Sequence, residues 1–152
     1  MKAISELYPM AVSLLKSLIS VPSFSREEER TAEILQQFLA SHHITFHRIK
    51  NNVFAYNESF DPSKPTILVN SHHDTVKPNS GYTKDPFTPT IEDGKLYGLG
   101  SNDAGGCLVS LLTTFLYYHD AKDLKYNICF AAISEEEISG ANGMELFIQE
   151  SA

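Results

Sequence analysis

The chain has 152 residues, of which 42% are hydrophobic, and a formal net charge of −7. This length fits one domain with a hydrophobic core of its own. Because the chain has no basic stripe, nucleic acid and membrane surfaces are poor partners, and we expect a soluble cytoplasmic protein. The cysteines, Cys107 and Cys129, stand far apart in apolar runs and predict two reduced core thiols.

Two amphipathic helices are predicted at the start of the chain. Apolar residues recur at spacings of three and four over residues 4–19, which is the period of a helix with one buried face. Ser25 and Glu28 have the spacing of a capping box, in which a serine and a glutamate satisfy the first N–H groups of a helix. We therefore predict a second helix that begins after Ser25 and ends near His42.

Strands and one long loop follow. Residues 44–49 and 53–56 alternate and predict a hairpin, whereas residues 66–70 form a continuous apolar run typical of a central strand covered on both faces. A loop of roughly twenty residues comes next, and loops of that length are often functional. Asp93 and Gly94 predict a tight turn within residues 90–97.

The last third of the chain predicts a helix, a strand and a helix. Asp103 precedes two glycines and a strongly apolar helix, which is therefore expected to be buried. Residues 126–133 predict a second central strand, and residues 143–150 begin another helix. Reactive side chains at the ends of such strands are typical of α/β proteins.

Reactive side chains stand where the two predicted central strands end. On an extended segment, residues His72 and Asp74 point to the same side and His73 points away. A metal-bound imidazole is usually held by a carboxylate, so His72 is a candidate ligand and Asp74 either orients it or serves as a catalytic carboxylate. A hydrophilic strand end with surface histidines explains the same pattern.

Two further acidic positions accompany this pair. Asp103 is either a helix cap or a carboxylate that bridges two metal ions. Residues 135–137 are three successive glutamates directly after a core strand, where their mutual repulsion would be relieved by bound cations. Two neighbouring glutamates can divide the tasks of metal ligand and general base.

The other histidines (His42, His43, His47 and His119) stand in no such setting and are expected to be exposed or at helix ends. Gly98-Leu99-Gly100 lacks the third glycine and the long preceding strand of a dinucleotide fingerprint, which argues against a nucleotide cofactor.

Several motifs, in this order and spacing, resemble those of peptidase family M20, a family of metal-dependent aminoacylases and carboxypeptidases. They are Ile19-Ser20-Val21-Pro22-Ser23, His72-His73-Asp74-Thr75-Val76, Asp85-Pro86-Phe87, Asp93-Gly94-Lys95, Leu96-Tyr97-Gly98-Leu99-Gly100, Asp103 and the three glutamates. The similarity is greatest to acetylornithine deacetylases and succinyl-diaminopimelate desuccinylases, and Leu96-Tyr97-Gly98-Leu99-Gly100 favours the former.

The resemblance implies a role for each matching residue. His72 would bind one zinc ion, Asp103 would bridge two, and Glu137 would bind the second, with Co²⁺ or Mn²⁺ as possible substitutes. Asp74 and Glu136 would be the catalytic carboxylates, with Asp74 behind His72 and Glu136 as general base. The chain differs from the family at Glu135, where an aspartate is more usual, and at Ala104 and Gly105 after the bridging position.

The resemblance also implies a fold and a reaction. The fold is a three-layer α/β/α sandwich with a mostly parallel mixed sheet, of which residues 1–152 would form an incomplete N-terminal part. A lid domain that makes a homodimer, and the remaining ligands, would lie outside this chain, which we therefore expect to be inactive alone. The implied reaction removes the acyl group of an N-acyl amino acid, such as N-acetylornithine in arginine biosynthesis.

Three alternatives stay open from the sequence. One is a desuccinylase, dipeptidase or aminopeptidase with the same metal centre. Another is a non-catalytic fragment that keeps the fold and binds no zinc. The third is a flavodoxin-like receiver domain, which also clusters acidic residues at strand ends but gives His72 no role.

Overall fold

A computed structural model describes residues 3–151. Two helices come first and five strands follow, and the last part of the chain forms a helix, a strand and a helix. They are α1 (Ile4–Ile19), α2 (Glu29–Ser41), β1 (His47–Ile49), β2 (Asn52–Tyr56), β3 (Thr66–His72), β4 (Thr90–Glu92), β5 (Lys95–Tyr97), α3 (Cys107–Tyr118), β6 (Asn127–Ile133) and α4 (Met144–Ser151).

Four of the strands form one sheet in the order β1-β2-β6-β3. The pairings of β1 with β2 and of β2 with β6 are antiparallel, and β3 and β6 run parallel. Strands β4 and β5 form a separate hairpin. The predicted α/β fold with a mixed sheet is therefore confirmed, although among the described strands of this sheet only the β3/β6 pairing is parallel.

Helices cover both faces of the sheet. Successive side chains of β6 point to opposite faces, and each face has its own core. Ile128, Phe130 and Ala132 belong to the larger core, which also contains the apolar faces of α1, α2 and α3. Cys129, Ala131 and Ile133 pack in a smaller core with Phe147 of α4 on the opposite face. This arrangement gives three layers, with β6 buried along its whole length.

The capping box predicted at Ser25 and Glu28 is wrong. Helix α2 begins at Glu29, and no side chain caps its N-terminus. The Ser25 hydroxyl instead donates to the carboxylate of Asp74, at 2.7 Å. The Glu28 side chain accepts a hydrogen bond from the distant Glu135 N–H as well as from Arg26. Tertiary partners have replaced the local ones that the spacing suggested.

The described residues leave one edge unpaired in the strand predicted as central at residues 66–70. Strand β3 pairs with β6 on one side and lies at the edge of the sheet. Ile67 and Leu68 are 45% and 37% exposed. The described part of the chain supplies no second neighbour for this strand, so its central position stays a prediction.

Two smaller expectations are corrected. Strand β1 begins at His47 rather than at residue 44, because the Ile44 N–H donates to the carbonyl of Leu39 and closes the end of α2. Cys129 is buried as predicted, but Cys107, the first residue of α3, is exposed. Within residues 3–151, no helix combines the length and apolar character needed to cross a bilayer.

Candidate metal centre

The register of the parallel strands places two of the predicted clusters side by side. His72, the last residue of β3, pairs with Ile133, the last residue of β6. The segments that follow, residues 73–75 and 134–138, therefore leave the same edge of the sheet. Carboxyl ends of parallel strands are the usual position for reactive groups in α/β proteins.

Asp103 reaches the same edge from a third direction. It lies in the irregular helical turn Ser101–Gly106, which leads into α3, and its backbone is extended rather than helical (φ −114°, ψ 101°). Gly105 allows this turn to pass close to α1, because a Cβ there would lie 2.6 Å from Leu15 and 2.5 Å from the carbonyl oxygen of Gly100. Asp103 caps no helix with its side chain.

The three predicted metal ligands converge. One ligand atom from each of His72, Asp103 and Glu137 can be chosen so that all lie within 4.8 Å of one another. His72 Nε2 is 3.1 Å from Asp103 Oδ1, and Asp103 is 79% exposed. Glu136 Oε2 lies 3.7 Å from the same nitrogen, and Glu136 is 58% exposed. Imidazole faces carboxylates here at a surface that solvent reaches.

Asp74 lies beneath this cluster and has no exposed surface. Its oxygens accept hydrogen bonds from the backbone N–H groups of Glu136 and Glu137, both at 3.1 Å, and from the hydroxyl of Ser25. His72 Nδ1 lies 3.0 Å from the Asp74 carbonyl oxygen and 3.4 Å from carboxylate Oδ1. These partners favour the orienting role for Asp74 over direct contact with a substrate.

The buried carboxylate and the imidazole stabilise each other's charges. The hydrogen bond with Asp74 is the main cause that raises the pKa of His72 to about 9, although burial opposes it. Burial tends to raise the pKa of Asp74, but hydrogen bonds from His72, Ser25 and the two backbone N–H groups lower it to about 2. In the metal-free chain, this raised pKa favours the protonated form of His72 at neutral pH.

The surroundings of Glu137 disfavour its charged form, whereas those of His72 and Asp74 favour theirs. Burial raises its pKa, and the nearby charges of Asp103, Asp74 and Glu136 add to this effect against the attraction of His72. Acidic side chains thus repel one another at the mouth of the site. A divalent cation would relieve this repulsion.

The residues present fit a zinc-type ion by chemistry as well as position. One imidazole nitrogen and two carboxylates are ordinary zinc donors. His72 is held through Nδ1 by Asp74, which leaves Nε2 facing the carboxylates. The individual roles of His72, Asp103 and Glu137 as ligands, and of Asp74 and Glu136 in catalysis, stay predictions.

His73 points away from the cluster, as the strand geometry predicts. Its Nδ1 is 2.9 Å from Thr31 Oγ1 and its Nε2 is 3.0 Å from the carbonyl oxygen of Asn51. Burial lowers the pKa of this imidazole.

Sequence reasoning missed two residues that support the site, Ser25 and Glu28. Both were assigned to a local helix cap, because their spacing fits one. Their real partners, Asp74 and Glu135, lie 49 and 107 positions away along the chain. An available signal was that both are polar residues beside Pro22-Ser23, one of the motifs shared with the resembled family.

Comparisons with known proteins identify a family. The sequence model of peptidase family M20/M25/M40 matches residues 68–152, which include most of β3, the Asp103 turn, β6 and all three proposed ligands.

Curated relatives carry several names. The chain is 35% identical to a probable carboxypeptidase of Emericella nidulans, covering 90% of the chain and 33% of that protein. It is 30% identical to succinyl-diaminopimelate desuccinylase of Beijerinckia indica, covering 88% and 37%, and 31% identical to acetylornithine deacetylase of Shigella sonnei, covering 95% and 40%. The chain thus spans about a third of the length of these relatives.

Solved structures share the fold. A Bacillus subtilis protein described as a dinuclear metal-binding peptidase superposes with a TM-score of 0.69 at 19% identity, over 97% of this chain and 40% of that one. Human carnosine dipeptidase 1 superposes with a TM-score of 0.68 at 23% identity, over 93% and 35%. At these identities the likeness shows the fold alone.

Proposed function

The chain belongs to peptidase family M20, and from this membership we propose that it carries part of the metal centre of an amide-cleaving hydrolase. The observation that supports the proposal most directly is the convergence of His72, Asp103 and Glu137 from three separate segments to within 4.8 Å. The whole protein would remove the acyl group from an N-acyl amino acid, with N-acetylornithine as the first substrate to test.

We propose that His72 and Glu137 each hold one of two zinc ions and that Asp103 is shared between them. A bound zinc ion supplies Lewis acidity, which polarises a carbonyl group and makes water acidic. Co²⁺ and Mn²⁺ are possible substitutes. The dinuclear description of the Bacillus subtilis protein supports a two-ion centre.

Glu136 is the proposed general base. Its backbone N–H is fixed by Asp74, whereas its side chain is 58% exposed at the mouth of the cluster. In this role its carboxylate accepts a proton from the attacking water and returns it to the leaving amine nitrogen. Asp74 keeps His72 in one orientation throughout, and it keeps the backbone of Glu136 and Glu137 in place.

The proposed metal centre is tested first by titrating the chain with Co²⁺ and following its absorption spectrum. We expect Glu137→Gln to weaken binding at least about tenfold, since even a residue behind a ligand has an effect of this size. Glu33→Gln is the matched control, because Glu33 is an exposed glutamate of α2 and does not line the cavity beside His72 and Glu136. If both variants bind Co²⁺ equally well, Glu137 is not a ligand of the metal centre.

The proposed base is tested in the longest form of the protein that its gene encodes. Glu136→Gln should lower the turnover of N-acetylornithine by roughly two to four orders of magnitude while the zinc content is unchanged. Retained turnover contradicts the assignment. Glu33→Gln again serves as the control.

A peptidase is the second candidate, because the identity to the probable carboxypeptidase, 35%, exceeds the 31% to the acetylornithine deacetylase. The same full-length preparation separates the two. Turnover of N-acetylornithine is compared with that of N-succinyl-diaminopimelate and of a panel of dipeptides. Preference for dipeptides would replace the deacylase proposal and leave the metal centre intact.

A further inference from the structure

Glu28 is a carboxylate with no exposed surface that joins three separate segments of the chain. Its Oε1 accepts the backbone N–H of Glu135 at 3.1 Å and that of Arg26 at 2.8 Å. Its Oε2 accepts the side-chain amide of Asn51 at 2.8 Å. The side chain thus connects the start of α2 and the β1–β2 turn with the loop after β6.

That loop begins in a conformation that needs support. Glu135 has a left-handed backbone (φ 55°), which costs free energy for any residue that carries a Cβ. Such a conformation persists where surrounding contacts determine it. The Glu28 carboxylate holds the N–H of Glu135 itself, and Asp74 holds those of Glu136 and Glu137. Two buried carboxylates therefore fix three successive peptide groups.

We infer that Glu28 is a positioning residue for the candidate metal centre: it fixes the backbone of Glu135 so that Glu136 and Glu137 face His72. The inference rests on the proposed function where it concerns metal binding, but not where it concerns the loop. Glu28 itself belongs neither to the proposed ligands nor to the proposed catalytic groups.

The direction of each hydrogen bond around Glu28 is fixed. Two of the donors are backbone N–H groups, which can only donate, and a second partner orients the third. Asn51 Oδ1 accepts from Arg48 Nη2 at 2.8 Å, so its Nδ2 is the atom that faces Glu28. Replacing Glu28 with glutamine puts an N–H against another donor in either orientation of the new amide. Replacing Asn51 with aspartate instead puts two carboxylates against each other.

Combining the two substitutions restores every pairing. In Glu28→Gln with Asn51→Asp, the new amide oxygen can accept from Glu135 and Arg26 while its N–H donates to residue 51. The second oxygen of residue 51 still accepts from Arg48. The double variant therefore keeps the hydrogen-bond geometry and moves the carboxylate from position 28 to position 51.

Amide hydrogen exchange of the metal-free 152-residue chain tests the inference. We expect the N–H of Glu135 to exchange about tenfold faster or more in each single variant, because a hydrogen bond to a charged acceptor is lost or opposed. The double variant should return to the parent rate. Amides of β6 serve as an internal reference for global opening, and Glu33→Gln, at an exposed position of α2, is the matched control.

Unchanged exchange at Glu135 in Glu28→Gln, or equal acceleration in β6, overturns the inference. So does a double variant that is no slower than the single ones. If a single variant does not fold, the double variant decides alone. A folded double variant in which Glu135 exchanges at the parental rate supports the positioning role of Glu28, and an unfolded double variant contradicts it.

A Co²⁺ titration of the same variants extends the test to the metal centre. We expect Glu28→Gln to weaken Co²⁺ binding by about tenfold or more, and the double variant to restore it, since supporting residues commonly have this effect. The titration is made in the longest form of the protein that its gene encodes, because the resemblance places the remaining ligands outside this chain. There, a parent protein that binds no Co²⁺ contradicts the proposed metal centre, while the exchange rates still decide the role of Glu28. A parent that binds and a Glu28→Gln variant that binds equally well contradict the positioning role.

Discussion

At the scale of single residues, Asp74 connects the parts of the site. It contacts His72 on one side and the backbone of Glu136 and Glu137 on the other, with Ser25 as a further donor. Because it is fully buried, water cannot replace any of these partners. Removing its charge should therefore alter both the imidazole and the glutamate loop.

The first prediction concerns the link between Asp74 and His72. In the metal-free chain, Asp74→Asn should lower the pKa of His72 from about 9 towards its ordinary value of 6.5, because the Asp74 hydrogen bond is the main cause of the raised pKa. The ring proton shifts of His72 in an NMR titration measure this change. Asp103→Asn should lower the pKa less, since Asp103 contributes least. A larger effect from Asp103→Asn would contradict the central position of Asp74.

The second prediction follows from the same pKa. Because the pKa of His72 is about 9 when folded and 6.5 when unfolded, the stabilisation is complete below pH 6.5 and is lost as the pH rises through 9. The difference corresponds to roughly 3 kcal/mol in the free energy of unfolding. Urea denaturation of the metal-free chain between pH 6 and pH 10 measures it. His72→Gln should remove this part of the pH dependence, and an unaltered slope would contradict it.

At the scale of elements, the approach of α3 to α1 determines where Asp103 lies. Gly105 precedes α3, and its missing side chain lets the turn Ser101–Gly106 pass beside Leu15. The turn is irregular at Asp103 and Ala104, so its path depends on this packing rather than on a regular helix.

The third prediction is that Gly105→Ala lowers stability and weakens Co²⁺ binding together. The new Cβ would lie 2.5 Å from the carbonyl oxygen of Gly100, so the backbone that carries Asp103 must move. Overpacking of this kind costs about 1–3 kcal/mol in the free energy of unfolding. Gly81→Ala is the control, because Gly81 is exposed, its backbone is not left-handed, and the new Cβ would lie near only the side-chain oxygen of Asn79. If both variants bind Co²⁺ like the parent, Asp103 is not placed by this contact.

At the scale of the whole molecule, the two parallel strands of the described sheet differ in how far other elements cover them. Strand β6 is covered on both faces and both edges, whereas β3 presents an open edge with Ile67 and Leu68 exposed. Open apolar edges favour pairing with other chains.

The fourth prediction is that the 152-residue chain associates with itself as its concentration rises and that Leu68→Lys reduces this association. A lysine on an edge strand disfavours strand pairing. Sedimentation velocity over a range of concentrations measures the effect. Ile148→Lys removes a comparably exposed apolar residue from α4 and should leave the association unchanged. Equal effects of both substitutions would indicate general hydrophobic contact rather than edge pairing.

The sequence alone determined which residues stand at the strand ends and in what order. Helix α1 was predicted with its observed bounds, because a periodic apolar face is a local property. The positions of His72 and the glutamates after apolar strands, together with the α/β fold, predicted that they would meet at one edge of a sheet. The structure brings them together with Asp103.

Only the tertiary structure decided which groups hold the site in place. The Ser25–Asp74 and Glu28–Glu135 contacts join residues 49 and 107 positions apart, and the spacing of Ser25 and Glu28 fitted a local helix cap equally well. Local patterns record what each residue can do, whereas its partner among several possible ones depends on how the segments pack together.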